Sequence, residues 1–207
     1  MKKVLITPYL ELNKYNKIVL SLNLEWFSYL NKLGYCGIFA NPENSIRDQI
    51  KNINFIIISG GGNISKIKKN KLNIFRDKFE KKLINEGLKK KIPIIAICRG
   101  FQLINHLLNR NLKDIDKVKN HRNKNHFIYI KKNILCKKNK ILVNSFHNLQ
   151  IIKLKDKLKK IAETKDGNIE IAFSKTKRIL GLMFHPERYN KDQIEVDKII
   201  KKFVNFK

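Results

Sequence analysis

The alternation of apolar and polar positions opens with a short apolar run at 4–7 and a loop. A helical period over 17–33 follows, stopped by Gly34, and a second apolar run fills 35–39. Phe55, Ile56, Ile57 and Ile58 form an unbroken apolar run that leads directly into Ser59-Gly60-Gly61-Gly62. A charged amphipathic period covers 73–91, another unbroken run covers 92–97, and 99–108 returns to helical spacing. Unbroken apolar runs suit strands buried on both faces. Their alternation with helices predicts a parallel sheet covered on both sides.

The second half has a different rhythm. Segments 127–131, 140–143, 149–154, 169–173 and 179–183 are short strand candidates in quick succession, which predicts an antiparallel extension. A helix over 191–203 closes the pattern. No internal repeat, linker or low-complexity boundary interrupts it. The expectation is one α/β domain over 1–207, built on a mixed, mainly parallel sheet.

Composition narrows the class. With 207 residues, 43% hydrophobic and 9% aromatic, the chain can bury a sizeable core and is not disordered. No apolar run approaches bilayer length. The opening stretch is interrupted by Pro8 and Glu11, and no small-residue cleavage site follows, so it is not read as a signal peptide. A soluble cytoplasmic protein with no membrane partner is expected. Cys36, Cys98 and Cys136 are odd in number and lack CxxC spacing, which argues against a disulfide framework or a zinc cluster. One reactive thiol with two bystanders is the simpler reading.

The net charge of +28 raises the question of a nucleic-acid partner. Its lysines, however, are spread along the whole chain beside abundant Asn and Ile, the combination that AT-rich coding imposes. No basic stripe interleaved with aromatics is present, so no nucleic acid is expected; a basic binding module is the remote alternative. The charge would still help to collect an anionic substrate.

Chemistry concentrates in three segments. Ile94-Ile95-Ala96-Ile97-Cys98-Arg99-Gly100-Phe101-Gln102 ends a buried strand at a thiol and turns at once into a helix. That is the layout of a nucleophile elbow, with a helix N-terminus that favours the thiolate. Leu182-Met183-Phe184-His185-Pro186-Glu187 places an imidazole and a carboxylate two residues apart, on one side of an extended chain. Nucleophile, base and orienting group are the parts of covalent acyl transfer. The glycine run at 60–62, with the N–H of Arg99, can supply donors to an oxyanion, and Gly61 and Gly62 are the candidates. Neither GxGxxG nor GxxxxGK[ST] is present, so a nucleotide fingerprint is unsupported.

Strand-GGG, strand-CRGFQ and strand-HPE, in that order, resemble the class I glutamine amidotransferase family over nearly the whole chain. The resemblance implies a flavodoxin-like three-layer sandwich. It also implies Cys98 as nucleophile, His185 as general base and acid, Glu187 as its orienter, and Gln102 beside a bound γ-glutamyl group. Finer features resemble the γ-glutamyl hydrolase branch. Cys98 is followed by Arg99, and Phe75-Arg76-Asp77-Lys78-Phe79-Glu80 is similar to the Arg-Asp-x-Phe-Glu helix of γ-glutamyl-γ-aminobutyrate hydrolases. Val143-Asn144-Ser145-Phe146-His147-Asn148 resembles their Val-Asn-Ser-x-His segment. That run and Asn23-Leu24-Glu25-Trp26 also resemble γ-glutamyl-CDP-amidate hydrolases, which act in phosphoramidate decoration of surface polysaccharides. Asn63 departs from the pattern, since relatives commonly carry aspartate there.

The resemblance implies hydrolysis of a γ-glutamyl amide or phosphoramidate through a thioester, on a small-molecule γ-glutamyl conjugate. A glutaminase subunit passing ammonia to a synthase is the alternative. No metal or organic cofactor is expected. Asn144, Ser145, His147 and Arg76 are substrate-contact candidates. For His147 a structural histidine satisfied by backbone is the competing reading, and for Arg76 an ion network on its helix with Asp77 and Glu80. His121 and His126 lack a ligand cluster and are read as structural or solvated, as is His106. Trp26 is read as a core or dimer contact, which leaves a homodimer open.

Overall fold

The computed structural model describes residues 2–109, 115–117, 122–154 and 158–206. Strand β1 (Lys2–Ile6) ends at Thr7-Pro8, where proline removes the next backbone donor. A hairpin of β2 (Tyr9–Leu12) and β3 (Ile18–Ser21) follows, then α1 (Leu24–Lys32) and β4 (Tyr35–Phe39). The helix expected over 17–33 is therefore shorter, and positions 18–21 within that span are strand. Asn13 explains the difference: its side chain accepts the N–H groups of Tyr15 and Lys17, and Asn16 takes a left-handed φ of 58°. Such a turn suits a hairpin, and it pairs Ile18 and Leu20 with β2.

Next come α2 (Ile46–Gln49), one turn with no sequence expectation, and β5 (Phe55–Ile58), α3 (Lys71–Lys89), β6 (Ile94–Ile97) and α4 (Arg99–Asn109). The remainder comprises β7 (Ile115–Lys117), β8 (Arg122–Ile130), β9 (Lys140–Phe146), β10 (Leu149–Ile151), β11 (Lys159–Glu163), β12 (Ile169–Ser174), β13 (Ile179–Leu182) and α5 (Gln193–Val204). Strands β7 and β11 were not expected. β8 is longer than the expected strand, and β9 runs on through Asn144 and Ser145 to Phe146.

Among the described residues nine strands form one sheet in the order β4-β1-β5-β6-β13-β12-β11-β8-β9. The first five are mutually parallel and the last four continue antiparallel. Side chains alternate across the pleat and sort into two cores. On one face Val4, Ile6, Ile57, Ile95 and Leu182 pack with Trp26 and Leu30 of α1 and with Val196, Ile199 and Phe203 of α5. On the other, Leu5, Ile56, Ile58, Ile94 and Ala96 pack with Leu83 of α3 and Phe101 and Ile104 of α4. These three layers are the flavodoxin-like sandwich expected. Trp26 is buried in the first core. Among the described residues no helix is long and apolar enough to cross a membrane.

Topology places the chemistry. β5, β6 and β13 are neighbours, with Ile58 opposite Ala96 and Leu182 opposite Ile97. The glycine run, Cys98 and the His-Pro-Glu segment therefore leave the carboxyl ends of three adjacent parallel strands, where α/β sheets bind ligands.

Candidate active site

Cys98 occupies a left-handed backbone position, φ 48°, between β6 and α4. Its N–H donates to Leu182 O at 2.7 Å and its carbonyl accepts from Gln102 N at 3.0 Å, so strand and helix both pin the turn. A non-glycine residue in this region is strained by about 1–2 kcal/mol. Gly100 is fixed by sterics, because a Cβ there would overlap the carbonyl oxygen of Ile58. Only glycine lets α4 start this close to β5.

Gly60 marks the point where the three segments meet. A Cβ on it would lie 2.7 Å from Cε1 and 3.2 Å from Nε2 of His185, and 3.4 Å from Cβ of Cys98. His185 Nδ1 is 2.6 Å from Glu187 Oε1, which leaves Nε2 for the thiol. Burial alone would pull the His185 pKa down. The Glu187 carboxylate and a hydrogen bond with the Cys98 thiol outweigh it and push it up to about 10. Asn144 holds this segment from behind. Its Nδ2 donates to His185 O at 2.7 Å and its Oδ1 accepts from His185 N at 2.9 Å.

The glycine run is shaped from beneath by a buried ionic cluster. Arg76 Nη1 donates to Gly61 O at 2.9 Å, and Nη2 donates to Gly60 O at 3.0 Å and Ser59 O at 3.2 Å. Because a trans peptide points its C=O and N–H in opposite directions, this turns the N–H groups of Gly61 and Gly62 away from Arg76. Both glycines border the thiol cavity, and both have left-handed φ, 83° and 71°. Arg76 Nε also pairs with Glu80 Oε1 at 2.9 Å, and Thr7 Oγ1 donates to the same oxygen at 2.9 Å. Arg99 pairs with Glu80 and Asp77. Burial pulls the Arg76 pKa down to about 10, with the neighbouring Arg99 cation adding to the effect and Glu80 opposing it.

The cavity over the thiol measures 390 Å³, and its walls include Gly61, Gly62, Cys98, Gln102, His147 and His185. Gln102 and His147 are thus brought to the site. Arg76 and Asn144 are not among the residues that line this cavity, and Arg76 instead lines a neighbouring one with Tyr9 and Glu11. The Arg76 guanidinium is engaged with carbonyls and Glu80, and Asn144 with the His-Pro-Glu backbone. Ser145 is fully buried in β9 and does not line the cavity either. The ion network expected on α3 is present, extended by Arg99.

His147 Nδ1 contacts Leu149 O at 3.0 Å, and its Nε2 lies 3.4 Å from Glu170 Oε1. His126 Nε2 lies at the same distance from that oxygen. Glu170 was missed in the sequence, although a lone carboxylate inside the apolar run of β12 was the available signal. Arg188, directly after Glu187, was missed as well. His121 lies outside the described residues. His106 is half-buried on α4, and Cys36 and Cys136 are free thiols away from the cavity lining. A larger cleft of 620 Å³, lined by Arg47, Phe75, Lys78 and Lys82 among others, shares none of its described residues with the thiol cavity and has no cysteine or histidine among them.

A thiol, an imidazole and a carboxylate in series, beside inward-facing peptide N–H groups, can carry out acyl transfer from an amide. The fold is that of class I glutamine amidotransferase-like proteins. The Peptidase C26 family profile matches residues 35–187, and the chain belongs to that family. It is 38% identical over 138 residues to the γ-glutamyl-CDP-amidate hydrolase of Campylobacter jejuni, a match spanning 67% of this chain and 64% of that protein. It is 34% identical over 116 residues to the glutamine-hydrolysing GMP synthase of Borreliella burgdorferi, covering 55% of this chain and 22% of the synthase. The fold superposes on a glutamine amidotransferase from Thermotoga maritima with a TM-score of 0.73 at 14% identity, over 99% of this chain and 98% of that one.

Proposed function

We propose that the protein hydrolyses a γ-glutamyl amide or phosphoramidate bond, and that its substrate is a γ-glutamyl conjugate of the γ-glutamyl-CDP-amidate kind. The observation that carries this reading is the His185 imidazole, held between the Cys98 thiol and the Glu187 carboxylate at the mouths of β6 and β13. The similarity to the Campylobacter hydrolase supports the substrate class.

In this mechanism the Cys98 thiolate forms a bond to the γ-carbonyl carbon, and the π electrons move to oxygen. The oxyanion is received by the N–H groups of Gly61, Gly62 and Arg99. Collapse breaks the C–N bond, and the departing nitrogen takes its proton from His185 Nε2. Water then gives a proton to His185 and attacks the thioester. The C–S bond breaks, and glutamate leaves. Gln102 and His147 form the wall beside the glutamyl group. The test is turnover of γ-glutamyl-CDP-amidate and γ-glutamyl-γ-aminobutyrate by the wild type and by Cys98→Ala, with trapping of a glutamyl adduct on residue 98. Undiminished turnover by Cys98→Ala would refute the mechanism.

The match to the GMP synthase region favours a second reading, a glutaminase that delivers ammonia to a synthase. Free glutamine as the preferred substrate, with turnover rising on addition of a synthase, would establish it.

A further inference from the structure

Two cavities meet at the glycine run. The one already described shares Gly61, Gly62 and Arg188 with a second, of 360 Å³, that runs beneath the β2–β3 hairpin past Tyr9, Leu10 and Asn23. Among the described residues Arg188 is thus the one side chain, besides the glycine run, that borders both. Its backbone is held firmly: its N–H donates to His185 O at 3.2 Å, and its carbonyl accepts from Asn190 Nδ2 at 2.8 Å. The half-buried guanidinium lies over the Phe146 ring, 4.2 Å from its centroid. Phe146 in turn meets the His185 ring edge-on at 5.8 Å.

Unlike Arg76 and Arg99, Arg188 has no carboxylate partner among the described residues, and no hydrogen-bond acceptor for its guanidinium. A cation flattened on an aromatic face keeps its edge donors available, and guanidinium geometry fits carboxylate or phosphate oxygens two at a time. On the mechanism above, the breaking C–N bond places the leaving nitrogen at His185 Nε2. The shared border beside Arg188 gives what that nitrogen carries a way from the thiol cavity into the hairpin cavity.

We infer that Arg188 is the receptor for an anionic group on the leaving amine, a phosphoryl or a carboxylate, and that the remainder of the leaving group lies in the hairpin cavity. This rests on the γ-glutamyl hydrolase reading for the direction of the substrate. Glu11 and Arg76 both line the hairpin cavity, but Arg76 is already engaged by Glu80 and the carbonyls of the glycine run, so the anion belongs at the Arg188 junction rather than deeper. The arginine therefore selects conjugates of acidic amines over neutral ones. It acts through substrate affinity, while Cys98 and His185 carry out the bond changes.

The experiment uses three conjugates: γ-glutamyl ethanolamine phosphate, γ-glutamyl-γ-aminobutyrate and neutral γ-glutamyl propylamide. Wild type should favour the anionic two through KM. In Arg188→Gln that preference should shrink by about 10- to 100-fold, the range of a lost charge-assisted hydrogen bond, with Arg188→Lys intermediate. The phosphate and carboxylate arms separate the two sources of the anion. Arg122→Gln is the comparison for a general charge effect, since Arg122 borders the thiol cavity but not the hairpin cavity. Calorimetric binding of the three conjugates to Cys98→Ala, with and without Arg188→Gln, gives a readout independent of turnover. Turnover without anion preference, or a preference that Arg188→Gln leaves intact, would overturn the assignment. Arg188-dependent binding without turnover by wild type would instead overturn the hydrolase reading and keep Arg188 as an anion receptor.

Discussion

Arg99, the residue after the site thiol, pairs with the buried carboxylate of Glu80 on α3. Glu80 also binds Arg76, which holds the carbonyls of the glycine run. One carboxylate therefore ties the cysteine turn to the loop that faces it. Burial is the largest single influence on the Glu80 carboxyl and would raise its pKa, but the two arginines together outweigh it and hold the pKa below its ordinary value.

Glu80→Gln should leave two buried guanidinium groups undercompensated. Removing one partner of a buried pair costs about 3–5 kcal/mol, and Glu80→Gln is expected in that range. Urea unfolding at pH 7 measures it. A loss under about 1 kcal/mol would mean that Asp77 and backbone carbonyls suffice for both arginines.

The strain at Cys98 makes a separate prediction. At φ 48° glycine is at ease and alanine is not. Cys98→Gly and Cys98→Ala both remove the sulfur, and both should lack turnover. The glycine variant should nevertheless be more stable than the alanine variant by about 1 kcal/mol. Thermal melts of the two variants side by side decide the point; equal stability would show that the turn relaxes around alanine.

Much of this site was legible because each chemical group sits at the end of an apolar run. Phe55–Ile58, Ile94–Ile97 and Ile179–Leu182 announce buried strands, and they lead into the glycine run, the cysteine and the histidine respectively. The Arg76–Glu80 pair was also readable, being four residues apart on a helix. What was not readable depends on contacts far apart in the chain. Arg99 reaches Glu80 across 19 positions, and Asn144 reaches His185 across 41. The β2–β3 hairpin was lost because Ile18 and Leu22 continue the helical spacing of Trp26, Tyr29 and Leu33 as well as alternating with Leu20 as a strand would. No local feature told Arg188, a cation beside two cavities, from the chain's many other basic residues.

The proton held by His185 has a consequence for stability. Its folded pKa, pushed up to about 10, lies above the ordinary 6.5. The stabilisation is therefore fully present below 6.5 and lost as pH rises through 10. Melting temperature should fall across that window in the wild type and fall less in Glu187→Gln, which lacks the carboxylate that retains the proton. Parallel profiles for the two proteins would show that the Glu187 charge does not hold it.

Glu170 has the opposite sign. Its fully buried carboxylate lies 3.4 Å from both His126 and His147. Burial would raise its pKa, and hydrogen bonding from the two imidazoles lowers it below 4.5 instead. A depressed carboxylate pKa gives stability that is present above the ordinary value and lost as pH falls through the folded one. Glu170→Gln should therefore unfold more easily at pH 7, by about 1–3 kcal/mol for loss of a buried charged acceptor. It should also lose less further stability than the wild type on acidification. Since His147 borders the thiol cavity, the same variant should show a raised KM for γ-glutamyl substrates. Urea titrations at pH 7, 5 and 3.5, paired with steady-state kinetics at pH 7, test both. An unchanged acid slope with an unchanged KM would mean that the carboxylate neither stays ionised in the fold nor positions the cavity wall.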